Sequence, residues 1–244
     1  MSFEEARKQL SSGRRMSPRE YQFLSSFVDG GICVDIGAWM GFSTRAIVSS
    51  FKREGIVLAI DPHSLDCAGK HRAAVEKLGL SSTRPFLEAN LAEWGIASRV
   101  VVIEGRSQDI GRELDLRVDL LVVDGSHRYA DVVEDIEVWV PKVRGYALFH
   151  DYQHIPGATK AVDELMMPHY KLVGKQGWLV AFECKGEVAL SFDEYLKALN
   201  RVVMSTKRTA FHTQEAARQA EIASVQALLV SYHALRGLEP CKLD

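Results

Sequence analysis

The chain has 244 residues and a formal net charge of −2, and 47% of its residues are hydrophobic. This fits one α/β domain with added segments, and the absence of a Lys/Arg block argues against nucleic acid as the main partner. An apolar run of about 18 residues, an apolar signal-peptide core and a C-x-x-C pair are all missing, so we expect a cytoplasmic protein with no membrane span, no zinc-type cysteine site and no disulfide framework.

Residues 1–30 have a helical pattern, and Ser17-Pro18 has the form of an N-cap followed by proline at the first helical position. Short apolar, β-branched runs then alternate with helical stretches. The predicted strands are Ile32–Gly37, Val57–Asp61, Val100–Gly105, Leu120–Gly125 and Tyr146–Asp151. The clearest predicted crossover helices are Ser43–Phe51, Phe86–Trp94 and Tyr129–Val140. Apolar runs without alternation are typical of strands buried on both faces, so the pattern predicts a largely parallel sheet with helices on both faces.

The pattern changes after Asp151. Pro156–Met167 is predicted as a helix, and Lys171–Gly174 and Trp178–Cys184 as the strands of a hairpin. Two further helices are expected over Phe192–Met204 and Thr213–Leu235, where they could pack on the domain or on a second subunit of a homo-oligomer. We therefore divide the chain into an N-terminal helical segment (1–30), a core (31–185) and a C-terminal helical extension (186–244).

Acidic residues stand at the carboxyl ends of the five predicted parallel strands. They are Asp35, Asp61, Glu104, Asp124 and Asp151. Ligands of open α/β sheets bind outside these strand ends. The pattern therefore predicts a binding site at this edge of the sheet.

The first strand leads into D-x-G-x-x-x-G over residues 35–41. Glycines here allow a ligand to approach the backbone closely, and the following helix offers free N–H groups. Because this is not G-x-G-x-x-G, it argues against a dinucleotide, and the acid suits a cationic ligand better than a diphosphate. Asp61, at the end of the second strand, could accept hydrogen bonds from a ribose, or it could cap the loop that follows.

These motifs, in this order, resemble the class I S-adenosylmethionine-dependent methyltransferases. The likeness is greatest to metal-assisted small-molecule O-methyltransferases, of the catechol type and of the type that methylates macrolide sugars. It covers about residues 31–183 and so implies a Rossmann-like fold with a seven-stranded sheet. Its later motifs are Asn90-Leu91-x-x-Trp94-Gly95, Glu104-Gly105-Arg106-Ser107, Asp124-Gly125-Ser126-His127-x-Tyr129 and His150-Asp151-Tyr152.

The resemblance also implies roles for single residues. Asp35 and the backbone of Gly37 would hold the amino-acid end of S-adenosylmethionine, and Asp61 its ribose. Arg106 and Ser107 would lie near the adenine. The remaining residues expected to line the cofactor site are Ser43, Gly105 and Asp124.

The fourth and fifth strands should be neighbours, so Asp124 and Asp151 can converge on one cation. A divalent ion there could lower the pKa of a substrate hydroxyl and align it with the sulfonium methyl. His127 follows in the same loop and could take the hydroxyl proton as general base, a role that some relatives give to this histidine.

His150 departs from the pattern, because the sugar-modifying relatives have a metal-binding acid there. Three alternatives follow. His150 could join Asp124 and Asp151 around a softer metal than magnesium; it could lie beside a magnesium ion held by the two aspartates and water; or the site could hold no metal, with His150 packed against the sheet.

The sequence thus predicts methyl transfer from S-adenosylmethionine to a hydroxyl of a small molecule, such as a sugar or phenol of a secondary metabolite. An N-methyltransferase of the same fold is a close alternative. Three other classes stay open: a nicotinamide-dependent oxidoreductase, which the missing G-x-G-x-x-G disfavours; a metal-dependent hydrolase, for which His63 is the one additional histidine near a strand end; and a non-catalytic S-adenosylmethionine-binding protein.

Overall fold

The computed structural model describes residues 2–12, 16–66, 68–69, 72–114 and 116–184. The chain divides into two compact units, residues 1–112 with 117–189 and residues 113–116 with 190–244. The two helices predicted beyond residue 190 lie outside the described residues. The division at residues 30 and 185 stays a prediction. No helix in the described part of the chain is both long and apolar enough to span a bilayer.

Seven strands form one sheet. They are β1 (Gly31–Ile36), β2 (Gly55–Asp61), β3 (Val100–Glu104), β4 (Val118–Val123), β5 (Val143–Phe149), β6 (Lys171–Gln176) and β7 (Leu179–Glu183). Their order is β3-β2-β1-β4-β5-β7-β6. The first five are parallel, while β7 pairs antiparallel with both β5 and β6. The predicted parallel sheet with a terminal hairpin is confirmed.

Eight α-helices connect and flank these strands. They are α1 (Phe3–Ser11), α2 (Pro18–Ser26), α3 (Phe42–Ser49), α4 (Arg72–Lys77), α5 (Arg84–Glu93), α6 (Ser107–Glu113), α7 (Tyr129–Trp139) and α8 (Pro156–Leu165). Short 3₁₀ turns cover Ala97–Arg99 and Val140–Lys142. The sequence did not predict α4 or α6, both of which are at most seven residues long.

Apolar side chains of the strands pack against α2, α3 and α5 in one core. Its members include Leu24, Val28, Ile47, Val57, Leu87, Leu91, Leu120 and Leu148. A smaller cluster joins α1 to the segment around α4 through Leu10, Met40, Val75 and Phe86. On α7, Trp139 is fully buried, as the sequence analysis expected of a core residue. These helices hold the sheet so that the carboxyl ends of β1 to β5 form one edge.

Candidate active site at the carboxyl edge of the sheet

The turn between β1 and α3 lies directly against the chain that leaves β4. Gly37 has φ +81°, and its N–H donates to the Ile60 carbonyl at 2.8 Å. A Cβ atom on Gly37 would lie 2.2 Å from the carbonyl oxygen of Asp124. Only glycine fits here, because both the backbone conformation and the close approach exclude a side chain. The first predicted cofactor motif is therefore in contact with the first predicted metal ligand.

Asp35 is fully buried at the end of β1. Its Oδ2 accepts hydrogen bonds from Ser43 Oγ at 2.8 Å and Thr44 Oγ1 at 2.5 Å, whereas Oδ1 has no hydrogen-bond partner within the described residues. Burial raises the pKa of Asp35 to about 6, although the two hydroxyls act in the opposite direction. A buried carboxylate oxygen with spare acceptor capacity fits the cationic ammonium group of an amino-acid ligand.

Asp61 fixes two loops at this edge. Its carboxylate accepts the backbone N–H of Trp39 at 3.0 Å and that of His63 at 2.7 Å. Trp39 and His63 both have positive φ, +47° and +48°. Asp61 therefore caps its own loop, which was one of the two sequence alternatives. Each oxygen keeps acceptor capacity, so the ribose role stays a prediction.

Gly105, Arg106 and Ser107 lie next to Asp61, because the N–H of Gly105 donates to the Asp61 carbonyl at 3.1 Å. Arg106 is exposed and lies 3.5 Å from Glu134. Ser107, by contrast, is buried, and its hydroxyl donates to Asp135 at 2.5 Å. The predicted adenine-side segment is thus tied to α7 by Ser107.

Asp135 corrects one expectation from the sequence. The acidic run over residues 131–137 was expected to form a solvated helix face, yet Asp135 is only 1% exposed. Burial raises its pKa to about 7, against the opposing effect of the Ser107 hydrogen bond. The helical period turns this one acid inward, where it accepts the Ser107 hydroxyl across 28 positions of sequence.

Asp124, His127 and Asp151 converge just beyond β4 and β5. Each offers a ligand atom, and these atoms lie within 4.8 Å of one another. His127 Nε2 is 3.3 Å from Asp151 Oδ2. The strands place the two acids, since Val123 pairs with Phe149 and both chains then leave the sheet. Asp151 has φ +56°, a conformation that costs energy for an L-residue and that often occurs at functional sites.

His150 lies beneath this group rather than on its exposed side. Its Nδ1 is 3.2 Å from Asp124 Oδ1 and 3.4 Å from Asp151 Oδ2, and its Nε2 is 3.6 Å from Glu20 Oε1. None of these contacts has the angles of a hydrogen bond. Burial lowers the pKa of His150, but the carboxylates of Asp124 and Asp151 outweigh burial and raise it to about 10. Metal ligation by His150 stays a prediction.

His63 lies away from this group, on the far side of β1. It follows β2, and the sheet order separates β2 from β4 and β5. Its ring is fully buried, with Nδ1 3.2 Å from Thr83 Oγ1, and burial lowers its pKa. The third histidine that a metal-dependent hydrolase would need is therefore not supplied by His63.

The sequence analysis did not identify Glu20 as a residue near the site. The only local pattern there is the capping box of α2, in which Glu20 bonds the N-cap Ser17. Its proximity to His150 depends on how α2 packs on the sheet. A buried acid in an otherwise ordinary cap is visible only in the structure.

Comparison with known proteins supports the class that this fold and site define. Residues 34–152 match the model of a family described as a methyltransferase domain. No curated protein matches the sequence. The chain thus carries a methyltransferase domain with a Rossmann-like fold, and the resemblance predicted from the sequence is confirmed.

Three solved structures share this fold. The O-methyltransferase NovP is 17% identical, with a TM-score of 0.54 over 68% of this chain and 80% of NovP. A Klebsiella pneumoniae protein assigned as an O-methyltransferase is 16% identical, with a TM-score of 0.55 over 75% of this chain and 87% of that one. A Clostridium thermocellum protein assigned as an rRNA methylase is 13% identical, with a TM-score of 0.52 over 72% of this chain and all of that one. At these identities the likeness concerns the fold alone.

Proposed function

We propose that this protein transfers a methyl group from S-adenosylmethionine to a hydroxyl of a small molecule. The observation that carries the proposal is the convergence of Asp124, His127 and Asp151 beside the Gly37 turn. A proton acceptor and two carboxylates therefore lie next to the turn proposed to bind the donor. Methyl transfer to oxygen requires removal of the hydroxyl proton and alignment of the oxygen with the sulfonium methyl.

The proposed cofactor residues follow the same edge. Asp35, with its free Oδ1, would bind the ammonium group of S-adenosylmethionine, and the Gly37 backbone would lie against its amino-acid end. Ser43 holds Asp35 in place through its hydroxyl. Asp61 would accept the ribose hydroxyls. On the adenine side the proposal includes Gly105, Arg106 and Ser107, and Asp124 borders the cofactor site.

His127 is the proposed general base. Its side chain is 37% exposed, so it can reach a bound substrate, and its Nε2 lies 3.3 Å from Asp151. A neighbouring carboxylate orients an imidazole and stabilises the imidazolium formed when it accepts a proton. His150 is only 9% exposed and faces Glu20, so it is poorly placed to meet a substrate. Of the two histidines, His127 has the better position for proton transfer.

The same group of side chains fits a divalent cation. Asp124 and Asp151 offer carboxylate oxygens, and the ligand atoms of the group are close enough to share one ion. Oxygen donors suit magnesium, whereas ligation by a histidine, His150 in the first sequence alternative, would favour a softer ion. A bound cation would supply Lewis acidity that lowers the pKa of the substrate hydroxyl. We propose Asp124 and Asp151 as its principal ligands.

A groove of about 570 Å³ follows Asp151 along α8 and is the proposed acceptor region. At its start His154 stacks on Trp178 with ring centroids 3.8 Å apart. Lys160 and Asp163 give it charges of both signs. A volume in this range suits a small molecule, and an aromatic surface beside polar groups suits a sugar or phenol.

Calorimetric titration with S-adenosylhomocysteine tests the cofactor site, and absence of binding would refute the proposal. Labelled S-adenosylmethionine should then transfer methyl to phenols or sugars, with His127→Ala lowering turnover by about 10²- to 10⁴-fold and the exposed His169→Ala leaving it unchanged. Methyl transfer only to amines would establish the N-methyltransferase alternative. Chelation followed by addition of Mg²⁺ or Zn²⁺ tests the cation, because unchanged turnover in chelator would remove it from the proposal.

Other properties expected from the sequence also stay proposals. They are a cytoplasmic location, the absence of a nucleic-acid partner, and a homo-oligomer formed through the terminal helices. Light scattering on the full chain, compared with a chain ending at residue 185, would test the last of these.

A further inference from the structure

Glu20 is a helix-capping residue in an unusual setting. It closes the capping box of α2, where its Oε2 accepts the Ser17 N–H at 2.6 Å and its own N–H donates to Ser17 Oγ at 3.3 Å. The capping box of α1 has the same form with Ser2 and Glu5, and that glutamate is exposed. Glu20 is only 4% exposed. Since burying a carboxylate is costly without compensation, capping alone does not account for its position.

The second oxygen of Glu20 reaches the β-hairpin and the site. Oε1 accepts the N–H of Trp178 at 2.8 Å and lies 3.6 Å from His150 Nε2. A Cβ on Gly177 would approach Oε1 to 2.5 Å, so the glycine turn leaves just enough room for the carboxylate. Helix α2 therefore presents one carboxylate to the buried side of His150.

The opposite nitrogen of His150 faces the site. Nδ1 lies 3.2 Å from Asp124 Oδ1 and 3.4 Å from Asp151 Oδ2. The imidazole thus has one carboxylate on its buried side and two on its active-site side. Rotation of this ring would alter its contacts with both aspartates. Carboxylates in second-shell positions commonly fix histidine rings in this way.

We propose that Glu20 is a positioning residue that acts through His150 to fix the carboxylates of Asp124 and Asp151, so that helix α2 completes the site. The pair holds the ring plane from below, while the aspartates keep their exposed side for a cation or substrate. This rests on the proposed function for the role of the two aspartates. The proposal assigns work to the N-terminal segment that the methyltransferase match, which begins at residue 34, does not cover.

Glu20→Gln is the test variant, because it keeps the shape of the side chain and removes its charge. Ser17→Ala is the matched control, since it weakens the same cap and leaves Glu20 beside His150. Glu5→Gln alters the equivalent cap of α1, away from the site. Crystal structures should show the His150 ring and at least one of the two aspartates displaced in Glu20→Gln and unmoved in both controls.

Mn²⁺ binding to the S-adenosylhomocysteine-loaded protein gives a second readout. We expect Glu20→Gln to weaken it about 10- to 100-fold, with the affinity for S-adenosylhomocysteine unchanged. The double variant Glu20→Gln/His150→Gln should bind Mn²⁺ no more weakly than His150→Gln alone, because Glu20 acts through His150.

Unmoved His150 and aspartate side chains in Glu20→Gln would overturn the proposal. So would equal losses of Mn²⁺ affinity in Glu20→Gln and Ser17→Ala, since these would assign the effect to helix capping. Additive losses in the double variant would also overturn it. Failure to bind S-adenosylhomocysteine or to transfer methyl would refute the proposed function, but it would leave the crystallographic result on Glu20 intact.

Discussion

Replacing Gly37 by alanine is expected to damage the site more than an ordinary glycine substitution would. Gly37 has φ +81°, and an added Cβ would lie 2.2 Å from the Asp124 carbonyl oxygen and 2.6 Å from the Gly125 Cα. Those atoms are backbone, so no side-chain rotation can relieve the contact. The turn after β1 and the loop after β4 must move apart, and this separates the proposed cofactor residues from Asp124.

The structure sets the size of this effect. An ordinary contact begins at 3.4 Å, so the two segments must separate by about 1.2 Å. The positive φ alone costs an L-residue roughly 1–2 kcal/mol. A misplacement of about 1 Å can lower turnover on the order of 10²-fold. We therefore expect Gly37→Ala to lose at least 2 kcal/mol, as an order of magnitude, of unfolding free energy and about 10²-fold in turnover.

Gly95→Ala provides the matched control. Gly95 also has positive φ, +67°, but a Cβ there would meet nothing within 4 Å. Urea unfolding of both variants separates backbone strain from the clash, and calorimetry with S-adenosylhomocysteine measures the cofactor site. If Gly37→Ala matches Gly95→Ala in unfolding free energy and binds S-adenosylhomocysteine like the unaltered protein, the close approach of the two loops has no energetic importance and the reasoning fails.

Two further predictions concern Asp135 and Gly157. The pKa of Asp135 is raised from 3.8 to about 7, so the folded state holds a proton that the unfolded state loses, and stability falls as pH rises from about 4 to 7. Asp135→Asn should therefore gain up to about 4 kcal/mol relative to the unaltered protein across that range, measured by urea unfolding at both ends; a constant difference would contradict this. A Cβ on Gly157 would lie 2.4 Å from the His127 carbonyl oxygen, so Gly157→Ala should shift His127 by about 1 Å and lower turnover about 10- to 100-fold with S-adenosylhomocysteine affinity unchanged. Full turnover in Gly157→Ala would show that the placement of His127 is not critical.

The parallel strands could be predicted because their composition has one physical meaning. The run predicted as Ile32–Gly37 is β1, Gly31–Ile36, with five consecutive buried residues. A strand covered on both faces needs apolar side chains at every position, which a single sequence shows directly. The short helix α6 has no comparable apolar period, and it was missed.

The edge that holds the site was also predictable, but its internal grouping was not. Parallel strands end at the same edge, so their terminal acids had to lie there. Which acids meet depends on strand order. Glu104 ends β3, three strands away from β4, and its carboxylate accepts Ser82 Oγ at 3.0 Å instead of joining the site. The contact between Ser107 and Asp135 likewise depends on how α6 packs on α7.

His127 and His150 show most clearly what local sequence leaves undecided. Each lies next to an aspartate or a short distance after one, at the end of a buried strand. His127 lies in a loop that has left the sheet, whereas His150 directly continues β5 and keeps a ladder bond to Val123, its N–H donating at 3.0 Å. In an extended chain His150 and Asp151 would point to opposite faces. The left-handed conformation of Asp151, φ +56°, instead brings its carboxylate within 3.4 Å of the His150 ring. One backbone dihedral therefore makes a buried histidine and an active-site acid neighbours, and it leaves His127 as the histidine that a substrate can reach.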